Sequence, residues 1–157
     1  MESQYHLNHY VINFDRNLDV IHSKLRSIED PSLMDKIVRE IELYQHPRNE
    51  LKEYHYQIGL HGFLKHAIPT TEFELLRGSA RPDIVVGNIA IEIKGPTRVQ
   101  DLQTIADKIG RYLNQFDKLI IVLFNVLVPT KYLNDYLNGT KLYKDEVNDR
   151  IKFIINN

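Results

Sequence analysis

The sequence predicts an α/β domain whose mixed central β-sheet is flanked by helices, with an extra helical segment at the N-terminus. Three observations carry this. Apolar periodicity switches from helical to alternating after Pro69. Gly87-Asn88 separates two runs rich in Ile and Val, the spacing of a two-residue hairpin. Leu119-Ile-Ile-Val-Leu-Phe124 is a continuous apolar run of strand length, which suits a strand covered on both faces and parallel to a neighbour.

A chain of 157 residues has room for one core and not for two. There are no cysteines, so disulfides and thiolate metal sites are excluded. No apolar run approaches the length of a membrane span, and the first residues lack the basic-then-apolar pattern of a signal peptide. The expectation is an intracellular, cytoplasmic protein with no membrane partner. A bias toward Ile, Asn, Lys and Tyr suits an AT-rich genome such as a viral or archaeal one. The net charge of −1 argues against coating nucleic acid by bulk electrostatics.

Taken in order, residues 10–14 read as a short strand and residues 18–28 as a short helix. Pro31 breaks the chain. Ser32 and Asp35 then open a helix in capping-box spacing, burying Leu33, Ile37, Ile41 and Tyr44 and ending at His46-Pro47. A second helix is expected over residues 48–67. Tyr56, Leu60, Phe63, Leu64 and Ala67 form one stripe that also carries Glu53, while Leu51, Tyr54 and Ile58 form a narrower one. Two apolar faces predict packing on both sides. An acid on a core-facing stripe is costly unless paired or metal-bound; equally, Glu53 lies in the first turn, where the helix dipole favours acids.

Residues 72–77 read as a strand and Gly78-Ser79-Ala80 as a turn. Residues 83–86 and 89–94 are strands, with Pro82 at the mouth of the first. Gly95-Pro96 stops the second. Thr97 and Gln100 match a capping box, and the helix after them buries Val99, Leu102, Ala106, Ile109 and Leu113, flanked by Ile105 and Tyr112. Pro129-Thr130 opens a short helix ending near Gly139, and residues 151–155 form a last strand. The chain therefore divides into an N-terminal extension (1–47), a core (48–126), and a C-terminal helix and strand (127–157).

The hairpin register sorts the chemistry. With Gly87-Asn88 as the loop, Val86 faces Ile89, Ile84 faces Ile91, and Asp83 faces Glu92. Alternation places Asp83, Glu92 and Lys94 on one face and Ile89, Ile91 and Ile93 on the other. Opposed carboxylates repel unless something cationic lies between them, and a divalent ion such as Mg²⁺ (or Mn²⁺) suits oxygen ligands. Such an ion can polarise a phosphodiester and acidify a bound water. Lys94 can orient that water, act as its base if its pKa is depressed, or stabilise charge developing on the phosphate. The surrounding segment is locally basic, and Arg77, Arg81 and Arg98 flank the hairpin and the helix start as phosphate contacts. The histidines have no zinc spacing, and Gly59-x-x-Gly62 is too short and wrongly placed for a phosphate loop.

Pro82-Asp83, a spacer, then Glu92-Ile93-Lys94 resembles the PD-(D/E)XK motif of restriction-endonuclease-like nucleases. The order helix, three strands, helix, strand over residues 48–125 is similar to that family's core, so the resemblance covers about half the chain. It implies Asp83, Glu92 and the Ile93 carbonyl as metal ligands and Lys94 as the catalytic lysine. It further implies Glu53 as the helix carboxylate, with Glu50 as the alternative, and Gln103 as the polar residue on the following helix; the Gln-x-x-x-Tyr spacing of the RecB-like branch is absent. The implied activity is Mg²⁺-dependent hydrolysis of DNA. A homodimer would bring two such units to a duplex. The competing expectation is a non-catalytic nucleic-acid-binding or assembly protein that retains the fold.

Overall fold

The computed structural model describes residues 32–47, 52–140 and 149–157. The strand expected at 10–14, the helix at 18–28, and Pro31, Glu50 and Leu51 lie outside them. The chain divides into two units, Met1–Lys36 and Ile37–Asn157. In the first, the Asp35 N–H donates to Ser32 Oγ (3.1 Å) and the Ser32 hydroxyl donates to the Asp35 carboxylate (2.7 Å). This closes the expected cap over the first turn of helix α1 (Leu33–Leu43). Leu33, expected on the buried stripe, is exposed, whereas Ile37, Ile41 and Tyr44 are buried.

The second unit is a single five-stranded sheet in the order β1-β2-β3-β4-β5. Helix α2 (Glu53–Ala67) precedes β1 (Thr71–Phe73), β2 (Ile84–Val86) and β3 (Ile89–Lys94). These three strands pair antiparallel. Helix α3 (Val99–Leu113) crosses to β4 (Lys118–Phe124) and α4 (Thr130–Thr140) crosses to β5 (Ile151–Asn156). Both crossovers make parallel pairs, as crossover connections require. Strand β3 is the seam where the antiparallel and parallel halves meet. Residues 119–124 of β4 are all buried, which bears out the reading of this apolar run.

The hairpin register is the expected one, Ile84 opposite Ile91 and Val86 opposite Ile89. Gly87 has φ +59° while Asn88 is not left-handed, as a type II′ turn demands. The first strand is shorter than expected because Glu74, at φ +48°, turns the chain out of the ladder.

On one sheet face, Val85, Ala90, Leu119, Ile121 and Leu123 pack with Leu102, Ile105 and Ile109 of α3 and Leu133 of α4. On the other, Tyr56 of α2 stacks on Phe124 (ring centroids 4.8 Å apart), with Tyr44 edge-on to the same ring. Asn156 donates to the carbonyls of Ile41 (3.1 Å) and Tyr44 (2.9 Å), satisfying acceptors at the end of α1.

Three expectations about helices change. Tyr54 and Ile58 are exposed, so α2 buries one stripe and not two. In α3 the buried row runs through Leu102, Ile105, Ile109 and Tyr112, which leaves Ala106 exposed. Thr97 does not cap α3. It is fully buried, with its backbone N–H and hydroxyl directed at the Phe124 carbonyl (3.1 and 3.0 Å), and it ties the end of β3 to β4. The cap lies one residue later, where the Asp101 carboxylate accepts the Arg98 N–H (2.7 Å). Among the described residues, no helix is long and apolar enough to cross a membrane.

Candidate active site

The far end of the β2–β3 hairpin gathers ionisable groups from three elements. Asp83 falls one residue beyond the last β2–β3 pair. Its carboxylate replaces the missing strand partner, Oδ2 accepting the Ile93 N–H (2.7 Å). The expected face-to-face pairing of Asp83 with Glu92 thus becomes an offset one. Ile93 shares its phase with Ile91 and Ile89, whose backbone groups face β2, so its carbonyl is directed to the same edge as Asp83.

Helix α2 reaches this end with its first turn. Gln57, one turn after Glu53, donates from Nε2 to Asp83 Oδ1 (2.9 Å) and to Glu53 Oε1 (3.3 Å). Lys94 Nζ donates to Glu53 Oε1 at 3.0 Å and lies 3.7 Å from Glu92 Oε1. Gly95 permits this approach. A Cβ there would stand 2.8 Å from Tyr56 Cδ2 and 2.9 Å from Phe124 Cβ, so a side chain would push α2 away.

Helix α3 supplies the other wall. Lys108 ion-pairs with Glu92 Oε1. The Tyr112 hydroxyl lies 3.0 Å from Glu92 Oε2 and 2.9 Å from the Arg81 carbonyl, and can donate its proton to either. Glu92 is 2% exposed, yet it is ionically paired on one oxygen and hydrogen-bonded on the other. Lys108 and Gln57 were not singled out by sequence, and Tyr112 only as a residue flanking the buried row. The signal is the four-residue spacing that puts Lys108 one turn before Tyr112, the last residue of the buried row of α3.

The electrostatics separate the two central carboxylates. Burial first, then the Glu92 charge, push the Asp83 carboxyl up to about 7, against the opposing pull of the Ile93 N–H and Lys94. Burial lowers the Lys94 ammonium, but Glu53 and then Glu92 outweigh it and hold the group above its ordinary value. In this arrangement Lys94 is a fixed cation and not a base. The Tyr112 phenol is driven upward by burial and then by Glu92, so it stays a donor.

The remaining expected residues are scattered. Arg77 is at the opposite end of the hairpin, donating to Asn88 Oδ1 (2.7 Å) and the Gly87 carbonyl (3.2 Å) over the Phe116 ring. Arg81 offers its carbonyl to Tyr112, while its exposed guanidinium pairs with Glu74 at 2.9 Å. Arg98, the residue that caps α3, and Gln103 on α3 are exposed. Among the described residues no three His, Asp or Glu side chains are arranged to hold an ion. The Glu53 carboxylate is paired with Lys94. No family model, curated protein or solved structure matches the chain.

Proposed function

We propose that the chain is a Mg²⁺- or Mn²⁺-dependent nuclease with a restriction-endonuclease-like core, hydrolysing phosphodiester bonds of double-stranded DNA. The observation that carries this reading is the pairing of the half-buried Asp83 with the buried Glu92, which the neighbouring lysines do not neutralise. With Asp83 ionised, Glu53, Asp83 and Glu92 outnumber Lys94 and Lys108, and the imbalance falls on Asp83. Burial first, and then the Glu92 charge, raise its carboxyl, and a bound cation would offset both.

The donor set fits a hard divalent ion. Asp83 Oδ1, a Glu92 oxygen and the Ile93 carbonyl are oxygen ligands, and Mg²⁺ ordinarily keeps several waters alongside so few protein ligands. An ionised carboxylate has about four acceptor sites, so Glu92 keeps capacity beyond Tyr112 and its lysines. Bound there, the ion would polarise the scissile phosphate and acidify a water. Lys94, held charged by Glu53, stabilises negative charge developing on the phosphate. Gln57 keeps Asp83 Oδ1 turned toward the site, and Tyr112 fixes the Glu92 rotamer. The exposed Arg98, beside the start of α3, is positioned to meet a phosphate on the backbone.

The test is incubation of the protein with linear and circular duplex DNA, with Mg²⁺, with Mn²⁺ and with chelator, beside Asp83→Asn and Glu92→Ala. Metal-dependent degradation that both substitutions abolish is expected. Wild-type-like degradation by Glu92→Ala would refute the site. A second reading has one observation in its favour. Glu53, Lys94, Glu92 and Lys108 already form a continuous ion-pair chain, which would also serve a non-catalytic DNA-binding or assembly protein. DNA binding without cleavage under either metal would select it.

A further inference from the structure

We propose that Lys108 is a resident counterion that a divalent cation must displace from Glu92, so that metal occupancy and the inward position of Lys108 exclude one another. This rests on the metal site proposed above.

Glu92 Oε1 already faces two ammonium groups, from Lys108 and, at 3.7 Å, from Lys94. Oε2 is approached by the Tyr112 hydroxyl at 3.0 Å. Adding a doubly charged ion within a few ångströms of both ammoniums is strongly unfavourable in a site this buried. One cation has to leave.

Lys94 cannot be the one. Its side chain is 11% exposed, both Glu53 oxygens accept from it (3.0 and 3.3 Å), and it stands on β3, paired through β4. Tyr112 is uncharged and need not leave. Lys108 differs in each respect. Its side chain is 28% exposed, it extends from a helix surface, and among the described residues Glu92 is its only hydrogen-bond or ion-pair partner. A lysine at such a boundary can carry its ammonium into water by rotating about its own side-chain bonds.

Lys108 therefore has two effects of opposite sign. It stabilises the metal-free protein by compensating a buried carboxylate, and it weakens metal binding by repelling the ion. A lysine that merely braced the site would strengthen both. In the metal-bound state its ammonium is released at the rim, beside the carboxylates.

The experiment is calorimetric titration with Mn²⁺ of the wild type, Lys108→Met, Lys108→Arg and Asp83→Asn, with melting curves before and after metal. Lys108→Met is expected to bind Mn²⁺ about tenfold tighter while melting lower without metal. Lys108→Arg is expected to match the wild type, and Asp83→Asn to lose binding. Should Lys108→Met fail to fold, Lys108→Gln, which keeps a donor to Glu92 without the charge, carries the same expectation. Mass-spectrometric mapping of amine acylation adds an independent readout, with Lys108 expected to react faster in Mn²⁺. Equal or weaker Mn²⁺ binding by the folded neutral variant, or unchanged acylation, overturns the exchange but leaves the metal site standing if Asp83→Asn still loses binding. No Mn²⁺ binding by the wild type overturns both.

Discussion

The two ends of the β2–β3 hairpin are built from similar materials and reach different outcomes. At the Gly87-Asn88 end, the groups that the half-buried Arg77 meets among the described residues are neutral, an amide oxygen, a carbonyl and an aromatic face. At the Asp83 end, roughly 17 Å away along β3, six ionisable side chains, Tyr112 included, lie in or beside the core, and one carboxylate has an ordinary charge state only at the expense of stability. The first end needs no further partner to be satisfied. The second holds a carboxyl that burial and the Glu92 charge push toward its protonated form, although both of its oxygens accept hydrogen bonds.

The sharpest way to break this contrast is to remove one cation from each end. Lys94→Met is expected to lower metal-dependent DNA cleavage by ~100-fold or more, with the fold checked by circular dichroism, whereas Arg77→Met leaves cleavage at the wild-type level. Equal losses from both would erase the distinction. Gly95→Ala comes next. The added methyl group meets Tyr56 and Phe124, so a loss of about 1–3 kcal/mol is expected in denaturant unfolding. Cleavage should fall with it, because displacement of α2 draws Glu53 away from Lys94.

The pH dependence isolates the Asp83 end. The Asp83 carboxyl titrates near 7 in the folded protein and near its ordinary 3.8 when unfolded. Between those values the folded state binds the extra proton. This group's stabilisation is therefore complete below pH 3.8 and is lost as the pH rises through about 7. Without divalent ions the melting temperature should be higher at pH 5.5 than at pH 8, a difference that Asp83→Asn flattens. A wild-type difference that survives in Asp83→Asn would assign it to other groups. The smallest effect is Arg77→Met on stability, about 1 kcal/mol or less by thermal melting, for two exposed hydrogen bonds and a ring contact.

Much of the fold was legible because it depends on local pattern. Gly87-Asn88 fixed the hairpin register, and the unbroken apolar run of β4 indicated its parallel neighbours. Asp83, Glu92 and Lys94 followed from that register. What was not legible depends on rotation and reach. The buried row of α3 is turned toward Ile105 and Tyr112, away from Ala106, and this turn swings Lys108 to the site. A lysine on a helix reads as solvated in any sequence, since nothing local says where its ammonium ends. Gln57 was hidden similarly, an uncharged residue one turn after an acid. The engagement of Arg77 with the Asn88 and Gly87 oxygens was hidden too, because a count of positive charge does not reveal what a guanidinium touches. Thr97 looked like a cap because its spacing to Gln100 is right, but the buried Phe124 carbonyl claims its hydroxyl.

The position of β3 at the seam of the sheet has a consequence for motion. Glu92 and Lys94 ride on a strand flanked by β2 and β4, with all six of its residues buried. Local fluctuations that open edges and helix ends leave such a strand untouched, so its amides should exchange with solvent deuterium only at the rate of whole-domain opening. Glu53 with Gln57, and Lys108 with Tyr112, belong to helices that can shift without breaking the ladder. Adjustment to an incoming partner would then come from the two walls, moving against a floor that does not yield.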